Sequence, residues 1–230
     1  MKPLALITGT SQGIGKALAL GYLNSGYQVI GVDIAANSIA EIEFYQVDLT
    51  KEAEIKKLVA QLSDRSFSVL INNAIKSSGK SYHAFSEVLS IGVIAPYYLA
   101  TQLNFEEGAS IINLGSTRAH QSQANTLAYS AAKGGIVALT HSLAVSLAPK
   151  VRCIVILPGW IDTKNISLSR SDHLQHPAGR VGKPQDIVEM ALFLSSDKAS
   201  FITGQEFVVD GGMSKLMIYH DDQGWKYQPK

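Results

Sequence analysis

LALITGTSQGIG, residues 4–15, decides the fold. Its first residues are apolar without alternation, the mark of a strand covered on both faces. Three glycines follow, Gly9, Gly13 and Gly15, and a helical pattern begins at once. Gly9 can take a backbone angle that costs other residues dearly. Gly13 leaves the helix start open to a close approach by phosphate, and Gly15 lets the helix pack tightly on the sheet. The free N–H groups and the dipole at that helix end attract a pyrophosphate. Ser11, Gln12 and Ile14 fill the turn and are candidates for the same contact. A glycine-rich turn alone is a weak signal; placed between a first strand and a helix it is a strong one.

Working outward, short β-branched runs alternate with helical patterns. Strands are predicted at 4–8, 28–33, 44–47, 69–72, 110–114, 151–157 and 206–209, and helices near 14–25, 51–64, 84–103, 127–148 and 184–196. This alternation predicts an α/β fold, a doubly wound parallel sheet of the Rossmann-like kind. The crossover at 34–43 is short. With no repeat or linker, the expectation is a single domain over 1–230, its last stretch, 213–230, a tail. In such sheets ligands bind at the carboxyl ends of the strands.

The second strand ends at Asp33, 18 residues after Gly15. A carboxylate there accepts from both ribose hydroxyls of an adenosine and repels a 2′-phosphate. Ile34, Ala35 and Gln12 carry no charge, so NAD is preferred and NADP is less favoured. In VDLT, Asp48 and Leu49 are placed beside the adenine. In NNA, Asn72, Asn73 and Ala74 are placed beside the ribose.

The chain has 230 residues, 46% hydrophobic and 17% charged, with a formal net charge of +1. That balance fits a compact globule and offers no bulk field for nucleic acid or an anionic membrane. The longest apolar stretch, 134–149, is broken by His141 and hydroxyls, and the apolar run at the start is too short for a signal peptide. A cytoplasmic protein is the expectation. The one cysteine, Cys153, lies in an apolar run and reads as an inert core residue.

In the order TGTSQGIG, Asp33, VDLT, NNA, a serine 13 residues before YSAAK, and PGWIDT, the chain resembles the short-chain dehydrogenase/reductase family. RVGKPQDI (180–187) and FITGQEFVVDGG (201–212) are similar to that family's C-terminal segments. The resemblance spans about residues 4–212. It implies NAD(P)-dependent oxidation of alcohols or reduction of carbonyls, in a homodimer or homotetramer. By the same resemblance Tyr129 is the general acid/base, Lys133 its partner, and Ser116 the hydroxyl that binds the substrate oxygen. Pro158, Gly159, Ile161 and Thr163 contact the nicotinamide side.

The chemistry explains the residue types. Hydride leaves an alcohol carbon only as the hydroxyl proton is removed, so a base must reach that oxygen. A free phenol has a pKa near ~10, too high for a ready base at neutral pH. Tyr129 and Lys133, four apart on a helix, share a face. A cation ~5 Å away at an effective dielectric of ~20 stabilises a phenolate by about 3 kcal/mol, so the expectation is a Tyr129 pKa lowered by about two units. Ser116 steadies the developing oxygen charge.

Two residues depart from the family pattern. Gly92 stands where the family has a helical asparagine whose backbone holds a water linked to the lysine. A glycine in a helix costs about 1 kcal/mol, so a kink or a close approach is expected there. Ser90 and His83 are substitute candidates. Ile75 replaces the glycine that usually ends NNAG and adds bulk at the groove. These departures keep a second reading open: a non-catalytic NAD-binding regulatory or scaffold protein.

On the substrate side, 164–179 corresponds to the family's lid and is short, which suits a small substrate or an open pocket. Arg118 is either a cation at the pocket mouth, favouring a carboxylate-bearing substrate, or a surface arginine. Trp160 is either an apolar wall or core. His120, His173 and His176 lack ligand spacing, so no metal is expected. The tail carries Met217, Tyr219, Trp225 and Tyr227 and is read as docking on a neighbouring subunit; helix residues 134–148 are a second candidate contact.

Overall fold

Leu4–Thr8 (β1) is buried along its whole length, as a strand covered on both faces must be. The computed structural model describes residues 2–77, 81–226 and 228; Tyr227 lies outside the described residues. Six further strands are Gln28–Asp33 (β2), Glu43–Gln46 (β3), Ser66–Asn72 (β4), Asn104–Leu114 (β5), Val151–Pro158 (β6) and Glu206–Val209 (β7). They form one sheet in the order β3-β2-β1-β4-β5-β6-β7, every neighbouring pair parallel. The order reverses between β1 and β4, which opens a crevice at their carboxyl ends.

Helices cover both faces. Gly13–Asn24 (α1) and Pro184–Ser195 (α7) bury Leu18, Tyr22, Ile187 and Val188 against one face. They approach closely: a Cβ on Gly21 would stand 2.3 Å from a Val188 methyl. On the other face lie Glu52–Gln61 (α2), Ala95–Gln102 (α4) and Leu127–Ser146 (α5), which bury Ile55, Leu58, Leu99 and Leu143. The architecture is the expected single-domain, doubly wound α/β sheet.

Two elements differ most from expectation, and β4 also starts earlier, at Ser66 rather than 69. β5 begins at Asn104 rather than 110, its early half carrying exposed Glu106 and Glu107 and a left-handed Gly108 (φ 77°). The continuous helix expected over 84–103 is instead Tyr82–Leu89 (α3), a π turn Ser90–Ile94, and α4. Pro96 explains the widening. It has no N–H to give the carbonyl four residues back, that of Gly92, so the ladder steps to i+5 and Ala95 N–H donates to Ser90 O. Residues 82–102 are long and apolar enough to cross a membrane by length and composition, a test that core helices also pass. Here Val88, Ala95, Leu99 and Ala100 are buried in the fold.

Candidate active site

The crevice holds a groove of about 310 Å3 lined by Gly9, Gln12, Gly15, Asp33, Ala74 and Thr163, with Ile14, Leu49 and Ile75 also on its walls. Gly9 (φ 77°) and Gly13 (φ 57°) take the left-handed conformation that glycine alone adopts cheaply. A Cβ on Gly15 would overlap the Gly9 carbonyl at 1.9 Å, so the turn can fold back on the helix only with glycine there. Gln12 makes no side-chain cap to α1, so the first N–H groups of that helix face the groove without a side chain from the N-cap residue.

The floor is braced from below. The Thr8 hydroxyl accepts from the backbone N–H of Asn73 and of Ala74, each at 3.0 Å. Asn73 Nδ2 donates back to the carbonyls of Thr8 (2.9 Å) and Gly9 (3.2 Å). Asp33 is held by its two oxygens, Oδ2 accepting from Ser11 N–H and Oδ1 from Ala35 N–H, both at 2.9 Å. Its carboxylate thus faces the groove in a fixed orientation with lone pairs to spare. Among the described residues no lysine or arginine lines this groove.

Asp48 and Asn72 are engaged by neighbouring residues. Asp48 is not on the groove wall; Oδ1 accepts from the N–H and hydroxyl of Thr50, and Lys51 lies 3.5 Å from Oδ2. It closes its own turn, as strand-end aspartates do. Asn72 is buried, and its Nδ2 donates to Asn113 Oδ1 (2.8 Å), whose Nδ2 donates to the Thr140 hydroxyl (2.9 Å). This chain ties β4, β5 and α5 together. Asn113 and Thr140 escaped the sequence reading, since nothing in a strand or helix pattern marks one buried polar side chain as another's partner.

A second cavity, about 590 Å3, opens beside the groove. Ser116, after β5, and Tyr129, in the first turn of α5, both line it. Lys133 is buried behind them, its Nζ 5.5 Å from the centre of the Tyr129 ring and donating to the Leu114 carbonyl at 2.5 Å. The three residues that the sequence singled out are therefore gathered at one cavity wall. Ser116 Oγ accepts from Arg118 N–H (3.1 Å) and begins a short 3-10 turn, Thr117–Ala119.

The electrostatics correct the expected phenol pKa. Burial raises Tyr129 above the ordinary phenol value, outweighing a hydrogen bond with Ser116 and the charge of Arg118, which both act downward. Lys133 contributes no comparable pull because burial destabilises its own cation and lowers its pKa to about 7.

PGWIDT, after β6, spans both cavities. Gly159, Trp160 and Ile161 line the larger, and Thr163 lines the groove, where a Cβ on Gly13 would stand 3.5 Å from its side chain. Pro158 ends β6. The segment is clamped by Gly182, whose carbonyl accepts from Asp162 N–H (2.9 Å) and whose N–H donates to Trp160 O (3.1 Å). Arg180 and Asp186, paired through two 2.7 Å bonds, brace that clamp. Trp160 is a wall of the pocket, with the buried His176 ring 6.1 Å away. Asp210, which the sequence reading passed over, lines the pocket too. The lid region contains a short helix, Arg170–Leu174 (α6), started by a Ser169–Asp172 capping box.

Ser90 and His83 stay within their own helix: Ser90 Oγ donates to Ser86 O, and His83 pairs with Glu87 at 3.5 Å. His120 pairs with Glu206 at 2.6 Å, and His173 Nδ1 accepts from Val181 N–H. Among the described residues no cluster of three or more His, Cys, Asp or Glu is arranged to hold a metal. Burial pushes the Cys153 thiol up to about 12, so it is unreactive.

The fold and groove are those of a dinucleotide-binding α/β protein. A family model described as enoyl-(acyl carrier protein) reductase matches residues 9–214. An uncharacterized oxidoreductase of Thermotoga maritima is 40% identical over 251 aligned residues, covering 95% of this chain and 98% of its own. Among solved structures, a SCOR enzyme from Clostridium thermocellum superposes with a TM-score of 0.89 at 38% identity, covering 100% of this chain and 99% of its own. A 4-hydroxyisoleucine dehydrogenase complexed with NADH gives 0.83 at 27% identity, covering 94% and 100%. The chain belongs to the short-chain dehydrogenase/reductase family. It is an oxidoreductase of that family, and its cofactor is a nicotinamide dinucleotide.

Proposed function

We propose that the protein transfers hydride between NAD and a secondary alcohol/carbonyl pair, with Tyr129 as general acid/base. The observation that carries this is the convergence of Ser116 and Tyr129 on one cavity, with Lys133 Nζ 5.5 Å from the centre of the phenol ring. Bound NAD would supply a hydride acceptor and a positive charge beside the phenol. Tyr129 takes the hydroxyl proton as the carbon gives up hydride, and returns it in the reverse direction. Ser116 holds the same oxygen. Lys133 Nζ, held by the Leu114 carbonyl, is fixed 5.5 Å from the centre of the phenol ring.

Gly9, Gly13 and Gly15 would cradle the pyrophosphate, and Asp33 would accept from the adenosine ribose. The fixed Asp33 carboxylate, with uncharged neighbours on the groove wall, favours NAD over NADP. Ser11, Ile14, Leu49 and Ala74 support the adenosine half; Gly159, Ile161 and Thr163 support the nicotinamide half. We read the chain as a homodimer or homotetramer. Val145 on α5 is 80% exposed, and Met217 and Tyr219 are exposed in the tail, which suits a surface that a second copy covers.

The test combines NADH binding by fluorescence with turnover across a panel of secondary alcohols. Turnover by the wild type that is lost in Tyr129→Phe, with NADH binding kept, supports the reading. Turnover kept in that variant overturns the acid/base role.

A further inference from the structure

The larger cavity presents polar and apolar surface in about equal measure, and its charges are unequally committed. Among the described residues only Arg118 and Asp210 on its wall carry charge. Asp210 is buried and occupied: Oδ1 accepts from Gly212 N–H and Oδ2 from Ser214 N–H, both at 2.8 Å. Arg118 is half-buried and forms no ion pair among the described residues. Its side chain donates to the neutral amide oxygen of Gln123, and its guanidinium carbon lies 5.6 Å from the centre of the Tyr129 ring. The backbone hydrogen bond from Arg118 to Ser116 fixes it two residues beyond the candidate oxygen-binding hydroxyl.

A guanidinium carries five N–H donors in a planar fork suited to a carboxylate. One neutral acceptor leaves most of that capacity, and all of the charge, unmatched. The rest of the wall mixes hydroxyls and amides, among them those of Thr117, Gln121 and Gln175, with the apolar surface of Trp160, Ile161 and Met213.

We infer that Arg118 binds an anionic group of the substrate, which is a small hydroxy acid or its keto acid, with the carboxylate a few bonds from the reacting carbon and polar groups on the remainder. This rests on the reading of Ser116 and Tyr129 as the reacting end. The closeness of Arg118 to the Tyr129 ring sets the short spacing between the two ends of the substrate.

The test compares oxidation of short α- and β-hydroxy acids with that of their methyl esters, in wild type, Arg118→Gln and Arg118→Lys. In parallel, malonate and malonamide are titrated calorimetrically into the NADH-loaded proteins. The expected result is a wild-type preference for acids that Arg118→Gln lowers by about ten-fold or more, chiefly through KM, and that Arg118→Lys partly restores. Malonate binding is lost in Arg118→Gln, and malonamide does not bind.

A wild type that oxidises esters as well as acids, or a preference that Arg118→Gln leaves within about two-fold, overturns the inference while the oxidoreductase reading stands. An equal shift in the pH profile of kcat for acid and ester would assign Arg118 to Tyr129 and also overturn it. Malonate binding that depends on Arg118, with no turnover of any hydroxy compound, would keep the anion site and overturn the proposed alcohol oxidation at Ser116 and Tyr129.

Discussion

A Cβ on Gly92 would stand 2.9 Å from Cδ1 of Ile75 and 2.9 Å from Cβ of Ala132. The two departures from the family pattern are therefore one packing unit. The bulk added at Ile75 occupies space beside position 92, and both press on the helix residue next to Lys133. Gly92→Ala gains about 1 kcal/mol of helix propensity but overpacks the contact, and overpacking costs about 1–3 kcal/mol. We expect a net loss in urea unfolding that shrinks in an Ile75→Ala background. Equal losses in both backgrounds would show the two sites to be independent.

Tyr129→Phe should lower kcat by about 10²–10⁴-fold, the usual worth of a positioned acid/base, with little change in the dissociation constant for NADH. Ser116→Ala should cost less than Tyr129→Phe, because Tyr129 still reaches the substrate oxygen. Steady-state kinetics on the same alcohol rank the two, and a larger loss in Ser116→Ala would reverse their roles.

Lys133 ties stability to pH. Its folded-state pKa, about 7, lies below the ordinary lysine value of 10.5, so the unfolded chain binds more protons between those limits. Stability from this group is therefore lowest below pH 7 and recovers as pH rises toward 10.5. The melting temperature of wild type minus that of Lys133→Met should increase from neutral to alkaline pH. A flat difference would contradict the burial cost assigned to the ammonium.

Asp33→Asn keeps the shape and removes the charge. We expect KM for NAD to rise by about ten-fold and the NADP-to-NAD ratio of kcat/KM to rise by a similar factor. An unchanged ratio would move cofactor selection away from Asp33.

The sequence exposes what repeats or is locally enforced. β1, β2 and β7 begin and end where apolar runs meet turn residues; the glycine turn and Asp33 stand at strand ends, and Tyr129 and Lys133 share the helix face that their spacing implies. The first half of β5 is hidden because Glu106, Glu107 and Gly108 break the apolar signal that names a buried strand. The π turn is legible only once Pro96 is counted against the carbonyl four residues earlier. Asp48 and Asn72 each have a local partner that spacing did not reveal. A polar side chain at a strand end satisfies a local turn or a buried partner as readily as a ligand, and spacing does not separate these uses. The tyrosine–lysine spacing gives proximity, whereas the sign of the Tyr129 shift depends on burial, a property of the assembled pocket.

The reciprocal bonds between Thr8 and the Asn73–Ala74 pair join the ends of β1 and β4 into one rigid seat. A dinucleotide arriving there finds its floor already ordered, and the freedom surrendered on association falls chiefly on the ligand. Encounter rates should thus be governed by diffusion and orientation, with no slow loop rearrangement preceding capture.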